Sequence, residues 1–88
     1  MPSISVEFFG VARSRAGVAG VTLDAGCLRE LLVRLQEQLP SLTELCIDNG
    51  ELSPDWLLNI NAAAFTRDLS TSLNDGDSVL LMPADAGG

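Results

Sequence analysis

The chain has 88 residues, of which 47% are hydrophobic, and a formal net charge of −7. This length allows one small domain, and the hydrophobic content excludes a disordered chain. All five positive residues are arginines, and the absence of histidine and lysine excludes histidine-based dyads, imidazole metal ligands and a lysine Schiff base.

The net charge, the apolar runs and the cysteines also indicate which partners and which cellular compartment to expect. Nucleic-acid binding depends on cationic side chains, so the strong negative charge argues against it and favours a basic protein partner. No apolar run approaches the ~18 residues of a membrane span, and the N-terminus lacks the features of a signal peptide. Cys27 and Cys46 are not arranged as a metal motif, so we expect two structural thiols in a cytoplasmic protein.

The first third of the chain predicts a strand pair. Ile4, Val6 and Phe8 alternate with polar residues, which is typical of a half-buried strand. Residues 14–20 have the composition of a loop, and 21–23 alternate again. We expect these two strands to form a hairpin.

A single amphipathic helix follows. Leucines recur at helical spacing from Leu28 to Leu39 and form one apolar stripe, and Pro40 stops the helix. Glu30 stands where the acid of a capping box belongs, but Cys27 is a poor N-cap residue.

The second half predicts further strands separated by turns. Residues 56–60 form a predicted strand, residues 61–65 a turn and a return strand, and residues 78–82 a last strand that ends at Pro83. Residues 41–55 are less regular, with a short helical turn at Leu42, Leu45 and Cys46. Residues 74–77 favour a turn over a calcium loop, because the remaining oxygen ligands of such a loop are missing.

The order of these elements predicts an α+β domain with a mixed sheet packed on one main helix. We expect the last strand to lie beside the first, because a central pair lets both halves of the chain bury the leucine stripe. The predicted domain covers residues 1–83, and a flexible tail covers 84–88.

The predicted sheet has an outer face that points away from the helix. If Val6 and Phe8 point inward, strand alternation places an apolar set outside: Phe9, Leu57, Leu80 and Met82. A contiguous exposed patch of this kind usually marks a partner surface. The alternative is that these residues are scattered singly or covered by a loop.

The sequence given ends in Gly87-Gly88. One interpretation is a frayed terminus, where glycine is common. The other is that the α-carboxylate of Gly88 reacts, because glycine has no Cβ and can enter a narrow channel. A carboxylate must first be activated, for example as an acyl-adenylate. The chain has no phosphate-binding loop, so a partner would supply the ATP chemistry.

These features, taken in order, resemble the MoaD/ThiS family of ubiquitin-like sulfur carriers. The resemblance extends over nearly the whole chain. Its pieces are residues 6–13 with two adjacent phenylalanines, the helix from Cys27 to Pro40, Asn61, residues 73–79 followed by Pro83, and the final Gly87-Gly88.

The resemblance implies a β-grasp fold and a carrier that is not a complete enzyme by itself and binds no cofactor. In the family, an ATP-dependent activating enzyme adenylates the terminal glycine, here Gly88, and a persulfide donor converts it to a thiocarboxylate. In the MoaD branch, the tail enters the large subunit of molybdopterin synthase and donates sulfur for molybdenum cofactor biosynthesis.

The resemblance also implies partner-binding positions. The apolar positions of the family that face partners correspond to Phe9, Ala64 and Met82. With Leu80 and the tail residues, the predicted partner-binding set is Phe9, Ala64, Leu80, Met82, Ala84, Asp85 and Ala86, beside the reactive pair Gly87 and Gly88.

The tail departs from the MoaD pattern. It has Ala84, Asp85 and Ala86 where MoaD chains carry a second proline and Val-Ser or Val-Thr, and Ala-Gly-Gly also resembles carriers of a route to cysteine. Carriers for cysteine or the thiamine thiazole, a ubiquitin-like protein modifier and a plain interaction module therefore remain alternatives.

Overall fold

A mixed five-stranded sheet packs on one main helix. The computed structural model describes residues 1–42 and 51–84. Its elements are β1 (Ser3–Phe8), α1 (Val11–Ala16), β2 (Gly20–Asp24), α2 (Leu28–Gln38), a short 3₁₀ helix (Pro40–Leu42), β3 (Trp56–Ile60), β4 (Ala64–Thr66) and β5 (Ser78–Pro83). The strand order is β2-β1-β5-β3-β4, with β1 parallel to β5 and the other neighbours antiparallel. This order confirms the predicted α+β class and the predicted place of the last strand beside the first.

The leucine stripe of α2 forms the centre of the core. Leu28, Leu31, Leu32 and Leu35 are fully buried, whereas Val33, on the opposite side of the helix, is 49% exposed. Burying one such side chain contributes roughly 1.5–3 kcal/mol. The inner faces of β1, β3 and β5 bury their alternate residues in the same core.

The helix ends one residue before the predicted stripe does. Leu39 has φ −124° and ψ 81°, outside the helical region, because the ring of Pro40 disfavours helical geometry in the residue that precedes it. Leu39 nevertheless packs partly buried against the core.

The start of α2 is capped by backbone from elsewhere in the fold. Cys27 makes no side-chain capping bond, as predicted, and Glu30 Oε1 accepts a hydrogen bond from the N–H of Gly26 at 2.9 Å. The N–H groups of Leu28 and Arg29 donate to carbonyls of residues 71 and 69, at 3.1 and 2.9 Å. The loop before β5 therefore satisfies donors that the first turn of a helix leaves without partners.

The β1–β2 connection corrects the predicted loop at residues 14–20. Helix α1 extends to Ala16, and its inner side buries Ala12 and Ala16. Gly17 ends it in the left-handed region at φ 78°, with its N–H donating to the carbonyl of Arg13. Two alanines on fewer than two turns give no leucine-like stripe, so hydrophobic periodicity did not reveal this helix.

The remaining irregular segment is described only in part. A 3₁₀ helix covers Pro40–Leu42, with Leu42 buried, whereas Leu45 and Cys46 of the predicted turn lie outside the described residues. Among the helices that the structure describes, none is long and apolar enough to cross a membrane.

Candidate functional site

The root of the predicted tail is fixed to the sheet. Pro83, the last residue of β5, pairs with Trp56, and the N–H of Ala84 donates to the carbonyl of Asp55 at 2.9 Å. The proline therefore belongs to the strand that it was predicted to end. The predicted site residues Asp85, Ala86, Gly87 and Gly88 lie outside the described residues. Four fully extended residues span at most about 14 Å, so Gly88 can lie no farther than this from the root.

Two arginines hold the segment beside the root. Trp56 is buried, and the guanidinium of Arg15 lies over its ring, 5.6 Å from the ring centroid. The guanidinium of Arg67 donates to the backbone carbonyls of Leu52, Ser53 and Trp56. The start of β3, which pairs with the root, is thus held by Arg67, the residue after β4, and by Arg15 of α1. No sequence signal distinguished Arg67 from an ordinary surface arginine.

The face of the sheet opposite the helices, here called the open face, presents a row of side chains across four strands. Glu7 of β1 is in register with Leu80 of β5, Leu80 with Asn59 of β3, and Asn59 with Phe65 of β4. Residues paired across strands point to the same side of a sheet, and adjacent strands lie about 4.8 Å apart. The row therefore runs for roughly 14 Å between the backbones of Glu7 and Phe65.

A concavity of about 570 Å³ lies over this row. Its lining includes the four side chains of the row and Met82, with Asn61, Ala62 and Ser78 at one end. The lining combines one carboxylate, two amides, one aromatic ring and aliphatic surface. Among the residues that the structure describes, no group of three Cys, Asp or Glu side chains could hold a metal ion.

The predicted apolar set does lie on the outer side of the sheet, but its burial differs from the expectation. Phe9 is 51% exposed, and Leu57 and Leu80 are half-buried. Met82, expected to be exposed, is only 8% exposed. It lies on the central strand, where Leu57 of β3 is its direct neighbour, so surrounding side chains cover it.

Phe9 continues the ladder of β1 beyond the strand end. Its N–H donates to the carbonyl of Leu81 at 3.0 Å, and Phe8 before it is buried in the core. Strand alternation then directs Phe9 to the open side, close to the level of Met82. Val11, at the start of α1, is also 47% exposed, although the sequence did not single it out.

The structure does not bring Ala64 together with the other predicted partner residues. Ala64 pairs with Ile60, which packs against the core, so Ala64 belongs to the helix side at an exposed sheet edge. Phe65 is on the open face instead, 56% exposed. Which of the two residues faces the open side depends on the length of the turn between β3 and β4. Asn61 and Ala62 in this turn both have positive φ, at 55° and 58°, and the sequence alone did not specify this conformation.

The two asparagines of the concavity differ in their hydrogen bonding. Asn61 Nδ2 donates to Asp77 Oδ1 at 3.0 Å, and Asn61 Oδ1 accepts from the N–H of Ser78 at 2.8 Å. Asn59 is 7% exposed, and its Oδ1 is buried without a hydrogen-bond partner among the described residues. Leaving a buried acceptor unpaired costs about 1–3 kcal/mol, so Asn59 is the unusual residue of this face.

The turn at residues 74–77 is confirmed. Gly76 has φ 89°, and the N–H of Ser3 donates to Asp75 Oδ1 at 2.7 Å. The hydrogen bond from the N–H of Asn74 to Asp77, with a second from the Asn61 side chain, lowers the pKa of Asp77 below its ordinary value of 3.8. The carboxylates of this turn thus accept hydrogen bonds from the protein itself.

Several known structures share this arrangement of strands and helices. The solution structure of small archaeal modifier protein 1 from Methanosarcina acetivorans matches with a TM-score of 0.84 and 24% identity, over 100% of this chain and 98% of that one. A chain of the BexX/CysO complex from Amycolatopsis orientalis matches with a TM-score of 0.79 and 19% identity, over 97% and 99%. A chain of the complex of molybdopterin-converting factor subunits 1 and 2 from Helicobacter pylori matches with a TM-score of 0.65 and 28% identity, over 92% of each chain.

These neighbours define the class of fold: the chain is a β-grasp, ubiquitin-like domain. The resemblance to MoaD/ThiS proteins predicts structural neighbours among ubiquitin-like carriers and modifiers, and these neighbours are of that kind. Two of them are seen in complex with other proteins. No protein-family model matches the chain, and no curated protein matches it in sequence.

Proposed function

We propose that this protein is a sulfur carrier that acts through the α-carboxylate of Gly88. The observation that carries the proposal is the tail root: a β-grasp domain fixes the chain as far as Ala84, and the sequence continues for four residues to a diglycine. The proposal requires Gly88 to be the last residue of the working protein.

The chemistry divides between the carrier and its partners. An ATP-dependent activating enzyme forms the acyl-adenylate of Gly88 with release of pyrophosphate. The terminal sulfur of a persulfide then attacks the acyl carbon, and AMP leaves. A second thiol reduces the resulting acyl disulfide, which gives the thiocarboxylate on Gly88 and a disulfide between the two thiol groups.

The domain itself holds the tail in position for its partners. Pairing of Pro83 with Trp56 and the bond from Ala84 to Asp55 hold the root, so the reach of the tail is set by its last four residues. Gly87 and Gly88 are the slimmest residues that can enter a partner's active site. The partner-binding residues of this proposal are Phe9, Leu80 and Met82 near the root, together with Ala64 and the tail residues Ala84, Asp85 and Ala86.

Within this function, we propose the role of the small subunit of molybdopterin synthase, whose large subunit would take the tail. The similarity to a chain of the molybdopterin-converting factor complex supports this choice. The similarity to small archaeal modifier protein 1 supports a second candidate, a protein modifier. Because the chain contains no lysine, such a modifier would be attached singly and not in lysine-linked chains.

Complementation of a host strain that lacks this protein tests both the carrier function and the pathway in which the carrier acts. A variant with one residue added after Gly88 is expected to fail, since the reactive carboxylate has moved. The matched control has the same residue inserted after Met1. If the extended tail works as well as the control, the carrier function is wrong.

The readout identifies the pathway. Loss of molybdenum-enzyme activity supports the molybdopterin role, a requirement for cysteine or for thiamine points to the other carrier routes, and loss of higher-mass conjugates of the chain points to a modifier.

A further inference from the structure

The concavity on the open face combines groups that no part of the tail chemistry uses. Its central row runs Glu7, Leu80, Asn59, Phe65, one side chain from each of four neighbouring strands. The side chain of Asn59, in the middle of this row, is more than nine-tenths buried, and its Oδ1 has no hydrogen-bond partner among the described residues. Buried acceptors in folded proteins almost always have a donor, and a ligand that enters the concavity could bring one to this side chain.

The charges around the concavity indicate what kind of donor fits. Glu7 is exposed at one end of the row. The only cations of the side chains are five arginines, and none of them lines the concavity: four belong to α1 and α2, and Arg67 donates to the backbone around Trp56. An acidic hollow without its own cation is complementary to a positively charged group.

Among positively charged groups, a guanidinium fits the shape of the row best. A planar fork with several N–H donors can bond a carboxylate and an amide oxygen that face it from two sides, whereas an ammonium presents a single point charge. Its aliphatic stem would lie on Leu80 and Met82, and Phe65, which is 56% exposed, closes the far end of the row.

We infer that the open face binds an arginine side chain presented by a partner protein, held by the Glu7 carboxylate and the Asn59 Oδ1 over Leu80. Arginine is also enriched among the residues that dominate binding energy at protein interfaces. The inference concerns recognition on the sheet and stands independently of any reaction at Gly88.

The test uses the full chain, labelled with ¹⁵N, and N-acetyl-arginine-N-methylamide as the probe in an NMR titration. Saturable shifts are expected for the side-chain amide of Asn59 and the backbone amides of Phe65 and Leu80. The citrulline analogue, which has the same length and no charge, is expected to produce none. Equal affinity for the citrulline analogue, or shifts spread over all acidic surfaces, would overturn the inference.

Matched variants separate the site from general electrostatics. Glu7→Gln is expected to weaken binding about tenfold, the equivalent of losing one hydrogen bond to a charged group. Glu37→Gln removes the same charge from the exposed surface of α2 and is expected to leave the affinity unchanged. If both variants weaken binding equally, the attraction is only that of net charge and the inference is wrong.

Asn59→Leu tests the role of the Asn59 oxygen as acceptor through two measurements, arginine binding and the melting temperature. A purely structural role of Asn59 would lower the melting temperature of this variant. The substitution replaces the amide by an apolar side chain with the same branching and removes the buried unpaired oxygen, so the melting temperature is expected to rise while arginine binding is lost. An Asn59→Leu domain that binds the probe like the parent would contradict the role of Oδ1. A domain that melts lower would show that Asn59 stabilises the fold instead.

Discussion

Two apolar residues near the tail root, Phe9 and Met82, differ in what surrounds them. Phe9 follows the end of β1 and keeps half of its surface in water, whereas Met82 lies on the central strand beside Leu57. Both were predicted to be exposed, since strand alternation alone determines the side of a sheet and not how far neighbours cover it. Exposure depends on position across the sheet, which requires the strand order.

This difference predicts unequal effects on stability. Met82→Ala is expected to lower the free energy of unfolding by about 2–5 kcal/mol, because it removes buried side-chain volume. Phe9→Ala is expected to stay within about 0.5 kcal/mol of the parent, as substitutions on the surface usually do. Chemical denaturation of the two variants measures both values. Equal losses would contradict the burial described here.

At the scale of elements, α2 is the part of the fold whose sequence signal is strongest. Its leucines lie at helical spacing and are all fully buried from Leu28 to Leu35, as the periodicity predicts. The 3.6-residue repeat acts within a short stretch of chain, so no distant partner is needed to recognise it. The short α1 has no such repeat, and its second half, residues 14–16, was predicted as loop.

The two sides of α2 supply a matched pair of substitutions. Leu31→Ala is expected to cost about 2–5 kcal/mol of stability, because Leu31 is fully buried in the core. Val33→Ala, two residues away on the exposed side, is expected to change stability by less than about 0.5 kcal/mol. Thermal or urea unfolding followed by circular dichroism compares them. A large loss for Val33→Ala would mean that the helix faces the sheet differently.

The 74–77 turn predicts a pH dependence. The folded-state pKa of Asp77 is depressed, so its carboxylate stabilises the fold at neutral pH, and this contribution is lost as the pH falls through the depressed pKa, below 3.8. Asp77→Asn removes the charge and is expected to lower the melting temperature at neutral pH, with the difference from the parent shrinking in acid. A difference that stays constant across this range would show that the charge does not contribute.

The strand pairing that assembles the open face was only partly predictable. Alternation in 78–82 and in 4–8 correctly gave the inner and outer residues of β5 and β1. The assignment of Phe65 instead of Ala64 to the open face required the exact β3–β4 register, which the left-handed pair Asn61 and Ala62 determines. The unpartnered oxygen of Asn59 is a property of packing, and no sequence pattern encodes it.

At the scale of the whole molecule, recognition and chemistry are proposed at separate places. The sheet offers a concavity with one carboxylate and an exposed phenylalanine on the open face, while the proposed chemistry belongs to Gly88, four residues after the root at Ala84. A net charge of −7 adds long-range attraction for a basic partner. A carrier of this design needs no tuned side chain, because its partners supply activation.

The intact mass of the protein isolated from its native host, during growth that requires sulfur transfer, tests the central claim most directly. We predict a chain that ends at Gly88, with a fraction heavier by the difference between one sulfur and one oxygen atom, and fragmentation that locates the increase at the C-terminus. A chain that continues beyond Gly88 would contradict the account. So would a terminal carboxylate that under these conditions neither carries sulfur nor becomes bonded to another protein.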